Sequence, residues 1–164
     1  MTICKPNDIK LHISAGQKLL GLDIGKKTIG LALSDASLNI ASPVKIVYRT
    51  KFTPDIANLL AFADSQNVGG LVLGWPVSMD GRLGPSCDSI RDFAHALLKI
   101  RDIPIVFQDE RLSTKAVESA MVAADMTRAK RAERRDALAA CWILQSFLDY
   151  LHHHHITADT QTSP

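Results

Sequence analysis

This 164-residue chain has few cysteines, no CxxC pair and no long apolar run. Cys4, Cys87 and Cys141 are odd in number and widely spaced. That argues against a disulfide framework or a structural zinc site, and for a reducing cytoplasm. No apolar run reaches the length of a membrane span, so no membrane partner is expected. The start, Met1-Thr2-Ile3-Cys4-Lys5-Pro6-Asn7-Asp8, has no apolar h-region of a secretory signal. The formal net charge of +2 is too small to imply a partner by itself. No internal repeat is present. A phosphate-binding P-loop ending on Gly25-Lys26 would need Gly where Leu20 stands and Ser or Thr where Lys27 stands.

What is present suits one globular domain, with 46% hydrophobic and 22% charged residues. Residues 1–17 are mixed and read as a loose lead-in. The domain is expected over 18–151, with a flexible tail over 152–164. Leu19 to Ile24 reads as a buried strand, and Ile29 to Ser34 follows a tight Gly/Lys turn, so the pair looks like a hairpin. Val44 to Tyr48 gives a third strand, with Pro43 at its start. Pro54 to Ser65 reads as a helix with Thr53 as N-cap. Val68 to Leu73 is a short strand, and a helix runs from about Pro85 to Lys99. Ile103 to Phe107 is the last strand. A helix from about Ser113 to Ala123 and a final helix from about Ala132 to Leu151 complete the chain. The order βββαβαβαα predicts an α/β fold with a mixed five-stranded sheet: three antiparallel strands, then two in βα units, with helices on its faces.

Asp23 stands inside the first apolar strand. A carboxylate there is costly unless paired or metal-bound. Other carboxylates follow the last strand (Asp109, Glu110) and begin the last helix (Asp136). Sites in open α/β sheets gather at the carboxyl ends of strands, which would draw Glu110 toward Asp23, and helix packing could bring Asp136. Three such groups would repel one another, and a divalent cation relieves that conflict. Hard oxygen ligands suit Mg²⁺ or Mn²⁺. Two such ions can clamp the attacking and leaving oxygens of a phosphodiester. Each group also has an ordinary structural alternative: a salt bridge for Asp109 beside Arg111, and favourable placement in the helix dipole for Asp136.

Four segments carry a resemblance. They are Gly21-Leu22-Asp23-Ile24-Gly25-Lys26-Lys27-Thr28-Ile29-Gly30, Gly74-Trp75-Pro76-Val77-Ser78-Met79-Asp80-Gly81, Asp109-Glu110-Arg111-Leu112-Ser113-Thr114, and Asp136-Ala137-Leu138-Ala139-Ala140 running on to Asp149. In order and spacing they resemble the YqgF/RuvX family of bacterial proteins, named as pre-16S rRNA nucleases or, in older usage, Holliday junction resolvases. The resemblance covers about residues 19–150. It implies an RNase H-like fold and a metal-dependent nuclease with Asp23, Glu110 and Asp136 as the catalytic and metal-binding triad. The family often has Arg where Thr28 stands, and an apolar residue where Arg135 stands.

Candidate nucleic-acid contacts are Lys26 and Lys27 in the turn, Arg111 after Glu110, and Arg131 and Arg134 in a basic stretch. From Arg128 to Asp136 there are five cations against two carboxylates, a pattern that suits backbone phosphates. Solvated lysines and a solvated helix face are the ordinary alternatives. Trp75 either stacks on a base or packs at a strand end. The run His152 to His155 is assigned no catalytic role. The expected function is hydrolysis of nucleic-acid phosphodiesters, with the 5′ end of pre-16S rRNA favoured over branched DNA. A non-catalytic RNA-binding factor in ribosome assembly or transcription is the alternative outside catalysis. An actin-like phosphotransferase would also open on a strand, an Asp and a Gly-bearing turn, but needs a second phosphate loop and an adenosine domain for which the chain has little room.

Overall fold

The apolar run Lys18–Ile24 forms β1 and Thr28–Ser34 forms β2. They pair antiparallel with Asp23 opposite Gly30. The computed structural model to which these elements belong describes residues 3–76, 84–109 and 128–160, with side chains of the last helix described over 137–153. β3 (Ala41–Tyr48), α2 (Phe52–Ser65), β4 (Val68–Trp75), α3 (Pro85–Ile100), β5 (Ile105–Asp109) and α4 (Arg128–Thr160) follow, and the short helix α1 (Ile9–His12) precedes β1. The sheet order is β3-β2-β1-β4-β5. β1–β2 and β2–β3 are antiparallel, whereas β1–β4 and β4–β5 are parallel. This is the expected mixed α/β sheet. The expected helix over 113–123 lies outside the described residues.

Strand alternation divides the core in two. Leu20, Leu22, Leu31, Leu71, Leu73 and Ile105 pack beneath α2 and α3. Leu19, Ala32, Val72 and Val106 pack beneath α4, against Ala140, Ile143, Leu144 and Phe147.

Several expectations differ from the structure. β5 runs over Ile105–Asp109 rather than Ile103 to Phe107, so Asp109 closes the strand instead of following it, and the last helix begins at Arg128 rather than about Ala132. The lead-in is anchored: the Cys4 N–H donates to the Ile105 carbonyl at 2.7 Å, and Ile9 is fully buried beneath α4. Ile9 and Ile13 pack on one core cluster at one-turn spacing, but a single turn is too short a pattern to reveal this. β3 begins at Ala41 and contains Pro43 rather than starting after it. The register steps from Leu31 opposite Lys45 to Ala32 opposite Pro43, so Val44 is the extra residue of a bulge. An edge strand tolerates Pro at such a point. α2 starts at Phe52 without a side-chain cap from Thr53. Asp55 instead accepts from the Thr50 N–H at 2.8 Å and from the Thr50 hydroxyl at 2.7 Å. Finally, α4 continues past Leu151 to Thr160, where a flexible tail was expected.

Candidate active site and nucleic-acid interface

Asp23 lies one residue before the end of β1, half-buried. Alternation from Leu19 and Gly21 sets it on the α4 side of the sheet. Its partner across the antiparallel ladder is Gly30, and Gly30 pairs in turn with Ile46. On the other side β4 runs parallel, with Leu22 opposite Leu73, so the next step sets Asp23 beside Gly74, which pairs with Gln108. The row across the sheet is therefore Ile46, Gly30, Asp23, Gly74, Gln108. The residues flanking Asp23 in this row are both glycines, and its carboxylate is a hard oxygen donor of the kind a small divalent cation takes.

The helix above is fixed by contact with β1. A β-carbon added at Gly21 would lie 2.8 Å from the Leu144 Cβ and 3.0 Å from the Ala140 carbonyl oxygen. α4 thus rests directly on the backbone of β1, an approach only glycine permits. Next to Leu144, Gln145 accepts from the Ala41 N–H at 2.9 Å and donates to the Asn39 carbonyl at 3.0 Å. Ala137 and Leu138 lie instead beside Ile46 and Tyr48. The helix therefore runs antiparallel to β1. Position 136 is one turn before Ala140, about 6 Å along the helix axis. Asp23 is two residues beyond Gly21, about 7 Å along the strand in the same direction. The backbone sets the Asp136 position over the Asp23 end of the sheet, on the same face.

Asp109 ends β5 opposite Trp75, at this same edge, on the side of the sheet away from Asp23. Glu110 and Arg111 lie outside the described residues. Among the described residues, no three His, Cys, Asp or Glu side chains form a metal cluster; of the expected triad, only the Asp23 side chain is described.

Lys26 and Lys27 are both exposed in the Gly25-Lys26-Lys27 turn. The Gly25 N–H donates to the Thr28 carbonyl at 2.8 Å. Arg49, just after β3, clamps the turn twice. Its backbone N–H donates to the Lys27 carbonyl at 2.8 Å, and its Nη1 to the Gly25 carbonyl at 2.7 Å. The guanidinium lies 5.8 Å from the Phe93 ring centroid. Sequence reasoning missed this residue. The signal was available in principle, because a third antiparallel strand ending at Tyr48 returns the next residue to the hairpin turn.

Trp75 takes the packed alternative. Its ring lies 4.7 Å from that of Phe107, with the Arg91 guanidinium 5.8 Å from its centroid, on the face opposite Asp23. Arg131 and Arg134 fall in the first turns of α4. The His152–His155 run falls within α4.

Known proteins agree with this architecture. The family model for RuvX, described as Holliday junction resolvase, matches residues 17–150. A protein of Paramagnetospirillum magneticum is 54% identical over 91% of this chain and 96% of its own length. One of Rhodospirillum rubrum is 49% identical over 92% of this chain and 94% of its own length. Both bear the name "Putative pre-16S rRNA nuclease". Among solved structures, Thermus thermophilus RuvC with a Holliday junction substrate superposes with a TM-score of 0.52 at 14% identity, over 82% of this chain and 96% of that one. The fowlpox virus resolvase with junction DNA gives 0.53 at 13% identity, over 82% and 99%. These likenesses give the fold as RNase H-like. The chain belongs to the RuvX family of nucleases.

Proposed function

We propose that this chain is a divalent-metal-dependent nuclease acting on the precursor of small-subunit ribosomal RNA, near its 5′ end, in the cytoplasm. The observation that carries the site is the seat of α4 on Gly21, which brings the Asp136 position over the end of β1 that bears Asp23. Glu110 is the next residue in the sequence after Asp109, which ends β5 at the same edge.

Asp23, Glu110 and Asp136 would hold Mg²⁺ or Mn²⁺, all as hard oxygen donors. When bound, such an ion supplies a water acidic enough to attack at neutral pH and neutralises charge on the phosphoryl group. Asp23 would be the ligand held by the sheet itself, in β1. Lys26 and Lys27 meet phosphate next to it, on a turn that Arg49 keeps in one shape. Arg111, after Glu110, stabilises charge on the reacting phosphate. Arg131 and Arg134 hold the backbone farther along α4.

The rRNA substrate is taken from the relatives' name. Branched DNA is the second reading, supported by the family model's description. The test is a cleavage assay in Mg²⁺ and in Mn²⁺, comparing a precursor rRNA 5′ segment with a four-way DNA junction. Wild type is expected to cut the RNA, and Asp23→Asn to cut neither. Cleavage of the junction alone would favour the second reading, and no cleavage of either substrate in either metal would overturn both.

A further inference from the structure

Between the edge strand β3 and the N-terminal half of α4 runs a groove of about 440 Å³, lined by Pro43, Val44, Ile46, Tyr48, Ala137 and Leu138. It lies on the Asp23 side of the sheet. Tyr48 pairs with Thr28, two positions beyond the Ile46–Gly30–Asp23 row, so the Tyr48 and Asp23 α-carbons are about 12 Å apart from strand spacings alone. The Tyr48 side chain is 67% exposed. An exposed aromatic this close to a polar site presents a flat, apolar face to solvent.

Charge says what fits there. Helical spacing back from Leu138 passes through Arg134 and Arg131, within the stretch of five cations against two carboxylates. Forward from Leu138, one turn on, is Trp142, 41% exposed. An exposed ring in a groove, with cation positions on the same helix face beyond it, is a pattern that suits single-stranded nucleic acid, bases on rings and phosphates on cations. A second copy of this chain is disfavoured, because Pro43 and the bulge at Val44 disrupt the outer edge of β3 against strand pairing. Lys45 also lines the groove, while its ammonium lies over Phe62, 4.7 Å from the ring centroid.

We infer that this groove seats a single-stranded segment of the nucleic acid leading to the carboxylate site, with Tyr48 stacking on a base. The inference deepens the nuclease reading, yet its test needs no cleavage. A fluorescein-labelled single-stranded RNA of about 12 nucleotides is titrated with protein in EDTA, and fluorescence anisotropy is read. Tyr48→Ala should weaken binding roughly tenfold or more, and Tyr48→Phe should bind within about twofold of wild type, because the ring is what stacks. The slope of affinity against salt should stay unchanged in Tyr48→Ala, since the cations that meet phosphate are all still in place, while Arg131→Ala with Arg134→Ala should flatten it.

Equal binding by Tyr48→Ala and wild type overturns the groove as the path. So does wild type that binds a duplex of the same length but not the single strand. A change of sedimentation mass in Tyr48→Ala with unchanged RNA affinity would make the face an interface between copies, and also overturns it. A protein that binds through Tyr48 yet cuts nothing keeps the groove and loses only the nuclease reading.

Discussion

Gly21 lies directly beneath Leu144: a β-carbon on the first would be 2.8 Å from the Cβ of the second, and 3.0 Å from the Ala140 carbonyl oxygen. Gly21→Ala therefore forces α4 off the sheet. Overpacking of this kind costs about 1–3 kcal/mol, read as a lower midpoint in denaturant. Activity should fall further than stability, because the displaced helix carries Asp136. Leu144→Ala should not relieve the clash, since it keeps the offending Cβ. A Gly21→Ala protein as stable and active as wild type would contradict this packing.

Arg49 should matter to the turn that carries Lys26 and Lys27. Arg49→Met removes the hydrogen bond from Nη1 to the Gly25 carbonyl and keeps most of the apolar stem. The expected loss is about 1 kcal/mol of stability, with faster amide exchange at Gly25–Thr28. Weaker nucleic-acid binding should accompany it. Exchange at wild-type rates would show that the turn holds its shape without the clamp.

The start of α2 should respond to acid. The Thr50 hydroxyl and then the Thr50 N–H hold the Asp55 carboxyl below its ordinary range. A carboxylate with a depressed folded-state pKa contributes stability that is full above its ordinary value and is lost as pH falls through the lower folded value. In Thr50→Val the Asp55 titration, followed by carboxyl-carbon NMR, should move up toward the ordinary value near 3.9. Asp64, held down by the Arg101 guanidinium at 2.7 Å, should not move. An unchanged Asp55 titration would remove the hydroxyl as its cause.

The basic start of α4 predicts a salt dependence. Each cation that neutralises a phosphate of a single strand adds about 0.7 to the slope of log affinity against log salt. Replacing Arg131 and Arg134 together should lower that slope by about 1.4 and weaken RNA and DNA alike, because phosphate contacts carry no sequence information. An unchanged slope would return this stretch to a solvated helix face.

Much of this arrangement is legible in the sequence because it is local. Leu19–Ile24 and Ile29–Ser34 are apolar runs around a Gly/Lys turn, and they do pair as a hairpin. The alternation that makes Asp23 costly is the same alternation that sets it on the α4 face. What escaped is long-range. Nothing near Gly21 announces that a helix more than a hundred residues later will rest on it. The Arg49 clamp depends on strand register, and the β3 bulge hides the register from a simple count. Ile9 and Ile13 make one short apolar turn, and the burial of Ile9 beneath α4 needs the whole sheet to be present. Of the triad, sequence and resemblance name all three residues, while the described structure carries the Asp23 side chain and the backbone position of Asp136.

In the proposed site Asp23, Glu110 and Asp136 share a divalent ion. A crystal of the protein soaked in Mn²⁺, read by anomalous scattering, tests it directly. Mn²⁺ should be bound by oxygens of all three carboxylates at about 2.1 Å, as for hard octahedral cations, with no such peak in an Asp23→Asn crystal. Carboxyl groups more than about 8 Å apart, too far for ligands at that distance to share one ion, would contradict it.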